Sequence, residues 1–385
     1  MGQGIQPLRV LIVTPRFFPF MGGIETHVYE VGRRLVQRGI AVTIVTTRLR
    51  ATTTSATLPR EEVIEGMRVL RVYSWPANRD YHITPEIYTL ITQGQWDLVH
   101  CQGCHTFVPP MAMLAARHAR IPYVVTFHTG GNSSRIRTAI RTTQWSLQRP
   151  LLMSAAKLIG VSHFEADYFR TLLRLSHKRF VVISNGGATF PAVAPCSTQN
   201  ETLIISPGRL ERYKGHQHLI TALPAIREQR PDARLLILGV GPYEAELRQL
   251  AQYTRVSDYV DIRSVPATDR RMMAEVLARA TVVALLSEYE AHPVAVMEAL
   301  TLQRPVVVAN TSGLHEIAQQ GLAREIPLKS TPREVAHAIL HQIEEPLVPP
   351  ANFTLPTWDE CAEQVEAVYR ECVEHVEERE RVCVS

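Results

Sequence analysis

Short apolar runs alternate with amphipathic stretches along the whole chain. Arg9–Thr14 (RVLIVT) reads as a buried strand and Pro15 to Gly23 as a loop. Residues 26–38 read as a helix that lines up Val28, Val31 and Leu35 before stopping at Gly39. Ala41–Thr46 is the next strand, and Asp97–His100, Tyr123–Thr126, Lys157–Val161 and Val181–Ile183 repeat the short apolar type. A second series opens at Leu203–Ser206. The helix after Gly215 turns Leu219, Leu223 and Ile226 inward; Arg234–Gly239, the Val282–Leu286 run into Ser287, and Pro305–Ala309 follow. Such alternation predicts an α/β class, with parallel sheets covered by helices on both faces.

Two turn-rich stretches punctuate this order. Ser184-Asn185-Gly186-Gly187 followed by PAVAPCSTQN reads as a linker, and a proline-rich loop at 345–357 precedes a charged helix from Trp358 to about Glu378. At 385 residues the chain exceeds what one core supports, so two domains are expected, over 1–190 and 198–350, with a cleft between them as the natural ligand site.

Composition narrows the class. Hydrophobic residues make up 45% and charged residues 20%, as in soluble globular proteins. No apolar stretch approaches membrane-spanning length, the first residues lack a signal-peptide pattern, and the six cysteines have no framework spacing. A cytoplasmic, reducing setting is expected. Charge is uneven: residues 1–195 hold 22 Lys and Arg against 10 Asp and Glu, a net of +12, whereas residues 196–385 hold 19 against 27, a net of −8. A basic first half suits phosphates on an anionic membrane or a charged acceptor. Nucleic acid is disfavoured, because no zinc-finger or helix-turn-helix signature accompanies the charge. Residues 132–150 set Arg135, Arg137, Arg141 and Arg149 among Ile136, Ile140 and Trp145. That pattern fits a helix lying on a membrane, and equally an ordinary surface helix. Cys101-Gln102-Gly103-Cys104-His105 has the form of a haem-attachment or redox motif, but without an export signal it reads as loop residues.

Residues 287 to 317 (SEYEAHPVAVMEALTLQRPVVVANTSGLHEI) concentrate the chemistry. Glu290 sits where an apolar run ends, and Glu298 lies inside the next helix, with seven residues between them. Pro293 suits the first turn of that helix, where its missing N–H leaves no bond unmade. The N–H groups of a helix start attract an anion, and nearby carboxylates accept hydrogen bonds from sugar hydroxyls. The pattern describes a seat for a sugar carried on a diphosphate, or else two solvated glutamates on an ordinary helix.

Other phosphate motifs are missing. PRFFPFMGGIETH is not G-x-G-x-x-G, and G-x-x-x-x-G-K-[ST] occurs nowhere, so dinucleotide and P-loop sites are unsupported. Gly22-Gly23 lets backbone approach a ligand at a helix start, or serves a tight turn. Gly208-Arg209-Leu210-Glu211-Arg212-Tyr213-Lys214-Gly215 follows the strand ending at Ser206. Arg209 and Lys214, on a loop at a strand's carboxyl end, suit one diphosphate and the charge it gains on leaving.

Taken in order, GGIETH, TFHTG at 126–130, ISNGG at 183–187, SPGRLERYKG at 206–215, LLILGVGP at 235–242, S-x-x-E-x7-E at 287–298 and PVVVANTSGLHEI at 305–317 cover nearly the whole chain. The chain resembles a retaining nucleotide-sugar glycosyltransferase of family 4. The resemblance implies the GT-B fold: two facing Rossmann-like domains with parallel sheets and a C-terminal helix, about 358–380, returning toward the first domain. It also implies that Arg209 and Lys214 bind the donor diphosphate, Glu290 the donor sugar and Glu298 the ribose. His128 would reach the transferred sugar, and Gly22, Gly23, Gly208, His292 and Val294 would complete donor binding.

The activity so implied moves a hexosyl group from a nucleotide-diphosphate sugar to a hydroxyl acceptor, with retention. The acceptor would be a glycan, a small molecule, or a lipid-linked or anionic carrier met at the cytoplasmic membrane face. No Asp-x-Asp occurs in the sequence, so no metal and no cofactor beyond the donor substrate are expected. Ala291-His292-Pro293 replaces the Gly-Phe-Gly or Gly-Leu-Pro of many relatives, which leaves the donor open. The alternative is a catalytically silent sugar-nucleotide-binding partner subunit of the same fold.

Overall fold

Side chains along β1 (Arg9–Val13) alternate between two separate cores, Leu11 and Val13 into one and Val10 and Ile12 into the other. A strand covered on both faces has to be apolar throughout, which is why RVLIV reads as an unbroken run. The computed structural model describes residues 6–20, 22–48, 58–75, 83–129, 135–187, 201–266, 269–350 and 353–384. The first unit continues with β2 (Ala41–Thr47), β3 (Glu61–Ile64), β4 (Met67–Val72), β5 (Leu98–Gln102), β6 (Tyr123–Thr126), β7 (Lys157–Gly160) and β8 (Phe180–Val182). Their order across the sheet is β3-β4-β2-β1-β5-β6-β7-β8, parallel except for the β3–β4 pair.

The second unit is built on Gly187–Leu355 and holds β9 (Leu203–Pro207), β10 (Arg234–Leu238), β11 (Val260–Arg263), β12 (Val282–Leu285), β13 (Val306–Ala309) and β14 (Arg324–Ile326). Their order is β11-β10-β9-β12-β13-β14, all parallel. Here too the strands serve two cores: Leu235 and Ile237 of β10 face one, Leu236 and Leu238 the other. In each sheet the chain winds outward from a central strand, then crosses back and winds the other way. The reversal lies between β1 and β5 in the first unit and between β9 and β12 in the second. Loops leaving the carboxyl ends of such strands diverge and open a crevice, the usual ligand position in doubly wound sheets.

Several elements differ from the sequence reading. The β3–β4 hairpin, turning at Glu65 and Gly66, was not expected, because Glu61–Ile64 is half polar and lies at the sheet edge. The first helix spans Gly23–Gln37 and begins directly after Gly22. Pro293 caps the Val294–Thr301 helix from outside its first turn, its carbonyl accepting from the Val296 and Met297 amides at 3.0 and 3.1 Å. Trp145 is buried against Phe127 and Phe169 rather than facing outward, and Arg149 donates to the Leu173 carbonyl. The side chains of Arg135, Ile136, Arg137, Ile140 and Arg141, and the segment 191–200, lie outside the described residues.

The last helix, Trp358–Val384, belongs to the first unit. Trp358, Cys361, Ala362, Val365, Val368 and Tyr369 recur at helical spacing and enter the core that holds Val10 and Ile12. Ion pairs flank this stripe, Arg34 with Asp359 at 3.0 Å and Arg38 with Glu366 at 2.6 Å. Exposed pairs contribute little beside buried apolar surface, so burial fixes the helix and the charges fix its register. Thr357 and Glu360 close its start: the Thr357 amide donates to the Glu360 carboxylate at 2.7 Å and the Glu360 amide to the Thr357 hydroxyl at 3.1 Å. At this junction a β-carbon on Gly186 would lie 2.4 Å from the Trp358 backbone nitrogen. Gly186→Ala is therefore expected to destabilise by about 1–3 kcal/mol, read as a drop of several degrees in thermal midpoint. An unchanged midpoint would contradict this packing.

Candidate active site

The second sheet's reversal point gathers the charged residues singled out above. The loop after β9 carries Gly208, Arg209 and Lys214, and the loop after β12 carries Ser287, Glu290 and His292. Gly215 joins the two. Its φ is +79°, and a β-carbon there would lie 2.0 Å from the Leu286 carbonyl oxygen. Only glycine lets the loops come this close. Lys214 Nζ then reaches Glu290 Oε1 at 2.5 Å, and Ser287 Oγ donates to the same oxygen at 2.7 Å. Both charged side chains are mostly buried. Burial works most strongly against the ammonium of Lys214, but the Glu290 charge, the nearby Tyr213 and the hydrogen bond to Glu290 together outweigh it and hold the pKa above its ordinary value.

Glu290 is held from behind. Its amide donates to Ser312 Oγ at 2.8 Å, and its carbonyl accepts from the Gly313 amide at 2.8 Å. Arg209 takes a different partner, Glu211, at 3.0 Å, and its side chain is two-thirds exposed. Each cation therefore faces its own carboxylate, and a diphosphate would meet both only after displacing those contacts. Glu298, within the Val294–Thr301 helix, is buried, which raises its pKa; an ion pair with Arg270 partly offsets the rise. Val294 opens that helix, half-buried, and His292 is half-buried just before it.

His216 is a supporting residue that sequence reasoning passed over. Its Nδ1 lies 2.8 Å from Ser206 Oγ and its Nε2 3.2 Å from the Arg209 carbonyl, so the imidazole ties the end of β9 to the loop that carries both cations. The signal was present in its position after Gly215, but a histidine there reads as the first turn of a helix.

The remaining candidates lie in the first unit. Gly22 precedes the Gly23–Gln37 helix, and neither glycine has a positive φ. A β-carbon on Gly23 would meet nothing within 4 Å. The turn itself does not require glycine at Gly23, and the space beside it is open. His128 follows β6 with φ +47°, and its Nε2 donates to Gln102 Oε1 at 2.7 Å. Its ring packs edge-on to His27, centroids 4.5 Å apart. His27 in turn lies 2.8 Å from Asn185 Oδ1 through Nδ1. Burial lowers the His27 pKa to about 4, against the pull of Asn185, and lowers that of His100 to about 3, with the nearby His27 adding to the effect. Both rings are neutral near pH 7. Cys101 and Cys104 are buried free thiols, with burial pushing both pKa values up. That is the reverse of what thiolate chemistry requires, which sets aside the redox reading.

Burial also lowers His216, to about 4 from 6.5. A depressed histidine contributes stability that is present above its unfolded pKa and lost as pH falls through the folded one, because only the unfolded chain takes up the proton. The thermal midpoint is expected to fall as pH drops from 6.5 to about 4.5, above the range where most carboxylates titrate. His216→Gln should fall less steeply over that window, and subtracting the two curves removes the opposing contribution of the raised Glu298. Parallel curves for the two proteins would contradict a neutral, buried His216.

Comparison with known proteins agrees with this architecture. The family model Glycosyltransferase Family 4 matches residues 21–187, and the model Glycosyl transferases group 1 matches residues 196–352. Glycogen synthase of Mycobacterium tuberculosis is 27% identical over 354 residues, covering 86% of this chain and 84% of the relative. The GDP-mannose:cellobiosyl-diphosphopolyprenol alpha-mannosyltransferase of Komagataeibacter xylinus is 26% identical over 332 residues, covering 83% and 80%. A crystal structure of Anabaena HepE in complex with UDP superposes with a TM-score of 0.69 at 17% identity, covering 96% of this chain and all of that one. With two family models in tandem on two doubly wound sheets, the chain belongs to the GT-B glycosyltransferases of the family 4 type, which use nucleotide-sugar donors.

Proposed function

We propose that the chain transfers a hexosyl group from a nucleotide-diphosphate sugar to a hydroxyl acceptor, with retention of the anomeric configuration and without a metal ion. The observation that carries this reading is the Lys214–Glu290–Ser287 contact at the reversal of the second sheet, with Arg209 on the same loop. Lys214 and Arg209 bind the diphosphate and stabilise the charge it gains as the sugar departs. Glu290 turns to the donor sugar's hydroxyls, and Glu298 takes the ribose in place of part of its contact with Arg270. Gly208, His292 and Val294 line the same donor. Gly23 offers backbone beside open space, Gly22 offers it beside the Glu25 carboxylate, and His128 contacts the transferred sugar.

In the transfer, the bond from the anomeric carbon to the diphosphate oxygen breaks as the acceptor oxygen approaches from the same face. The acceptor's proton passes to the departing diphosphate oxygen, so no side chain has to act as a base. Two lysine or arginine charges and no Asp-x-Asp pair support transfer without a metal. The net charge of +12 over residues 1–195 supports an anionic or lipid-linked acceptor at the cytoplasmic membrane face. No helix among the described residues is long and apolar enough to cross a membrane.

Release of nucleoside diphosphate from a panel of UDP-, GDP- and ADP-sugars tests the reading without a known acceptor. One donor is expected to be hydrolysed, undiminished by a chelator, with the sugar's configuration retained by NMR. Arg209→Ala and Lys214→Ala should each lower turnover by about 100- to 1000-fold. Repeating the assay with anionic vesicles probes the carrier. No hydrolysis of any donor would return the chain to the silent-subunit reading; inversion or chelator sensitivity would overturn the mechanism.

A further inference from the structure

Glu165 is a fully buried carboxylate that no part of the transfer scheme uses. It lies in the first turn of the His163–Leu173 helix, where Ser162 caps the start and accepts from the Glu165 amide at 3.2 Å. Ser-x-x-Glu is the sequence of a capping box, in which the glutamate reaches back to the cap residue and stays near solvent. Here the carboxylate does something else. Oε2 accepts from the Val161 amide at 2.9 Å, and Oε1 accepts from the Thr129 amide at 2.6 Å and from the Thr129 hydroxyl. The His128 amide joins the same group of donors. Among the described residues no lysine or arginine pairs with it.

Burying a carboxylate without a cation is unfavourable by several kcal/mol unless its oxygens are saturated with donors. A helix cap alone would not need one, since serine already supplies it. The donors come from the turns that follow two strands, β6 and β7, and the β6 turn contains His128 in a left-handed conformation that a non-glycine residue adopts only at a cost. The histidine's other end is fixed as well. Gln102 accepts its Nε2–H, and the Gln102 amide nitrogen lies 3.1 Å from Nε2 of His100. His100 is itself held by Thr126 Oγ1 at 2.8 Å and Tyr369 Oη at 2.6 Å.

We propose that Glu165 is a positioning residue for transfer: its buried carboxylate clamps the His128–Thr129 turn and so sets where the His128 imidazole is presented. The inference rests on the reading of His128 as a contact to the transferred sugar. Glu165→Gln keeps the size but must turn an NH2 toward one of the N–H donors, so the turn relaxes.

Two readouts test this in the full-length protein. By NMR, the His128 ring resonances are expected to shift in Glu165→Gln while those of His216, in the other unit, stay in place. In the hydrolysis assay with the donor that the wild type accepts, kcat should fall on the order of 10- to 100-fold with donor KM within twofold. His128→Ala combined with Glu165→Gln should then be no slower than His128→Ala alone, because both act through one group. Losses that multiply in the double variant, or unshifted His128 resonances, would overturn the proposal. Wild-type turnover in His128→Ala would instead remove the role of His128 and leave the NMR result to decide the clamp. Should Glu165→Gln fail to fold, Thr129→Val removes only the hydroxyl bond; unshifted His128 resonances in that variant would also overturn the clamp.

Discussion

The ion pair between Lys214 and Glu290 is the contact on which the proposed donor site depends. It exists because Gly215 allows one loop to lie against the carbonyl at the end of β12, bringing a cation from β9 onto a carboxylate from the neighbouring strand. Any side chain at Gly215 would push the two loops apart. The pair is mostly buried, so its two charges hold each other in place and water screens them weakly. In the proposed reaction a donor diphosphate offers Lys214 a stronger anion, and its sugar offers Glu290 hydroxyl donors. At this contact two charges cancel, and in the proposed reaction it exchanges one internal bond for two external ones.

The first unit solves a different problem. Beside the Glu165 carboxylate, its buried polar groups near the β5 and β6 carboxyl ends are neutral: burial keeps His27 and His100 uncharged, Asn185 bonds His27 Nδ1 while His27 Nε2 has no partner among the described residues, and Thr126 and Tyr369 hold His100. A network of this kind favours one arrangement, because any slip leaves a buried group unpaired. The last helix contributes to it through Tyr369, so its docking on the first unit bears on His100 as well as on the core.

Much of this was readable beforehand. The strands carrying the site are short, apolar and covered on both faces, which is the strongest pattern a parallel sheet leaves in sequence. The loops after β9 and β12 announce themselves by glycine, arginine, lysine and glutamate at close spacing. Edge elements were harder: β3 is half polar and β14 is three residues long, so neither stands out from a loop. Glu165 and Gln102 look like surface residues until the topology brings the ends of β5, β6 and β7 together. Trp145 illustrates the opposite error, an aromatic residue in a basic stretch that the fold turns into its core.

The proposal at the centre of this account is that Glu290 holds Lys214 and yields it to the donor phosphates. Calorimetric titration of UDP, GDP and ADP into the wild type and Glu290→Gln tests it most directly. With the carboxylate neutralised, Lys214 has no competing anion, so the nucleoside diphosphate that binds the wild type should bind the variant more tightly, even though the variant hydrolyses the sugar-bearing donor more slowly. Equal or weaker binding of the diphosphate by Glu290→Gln would contradict the account.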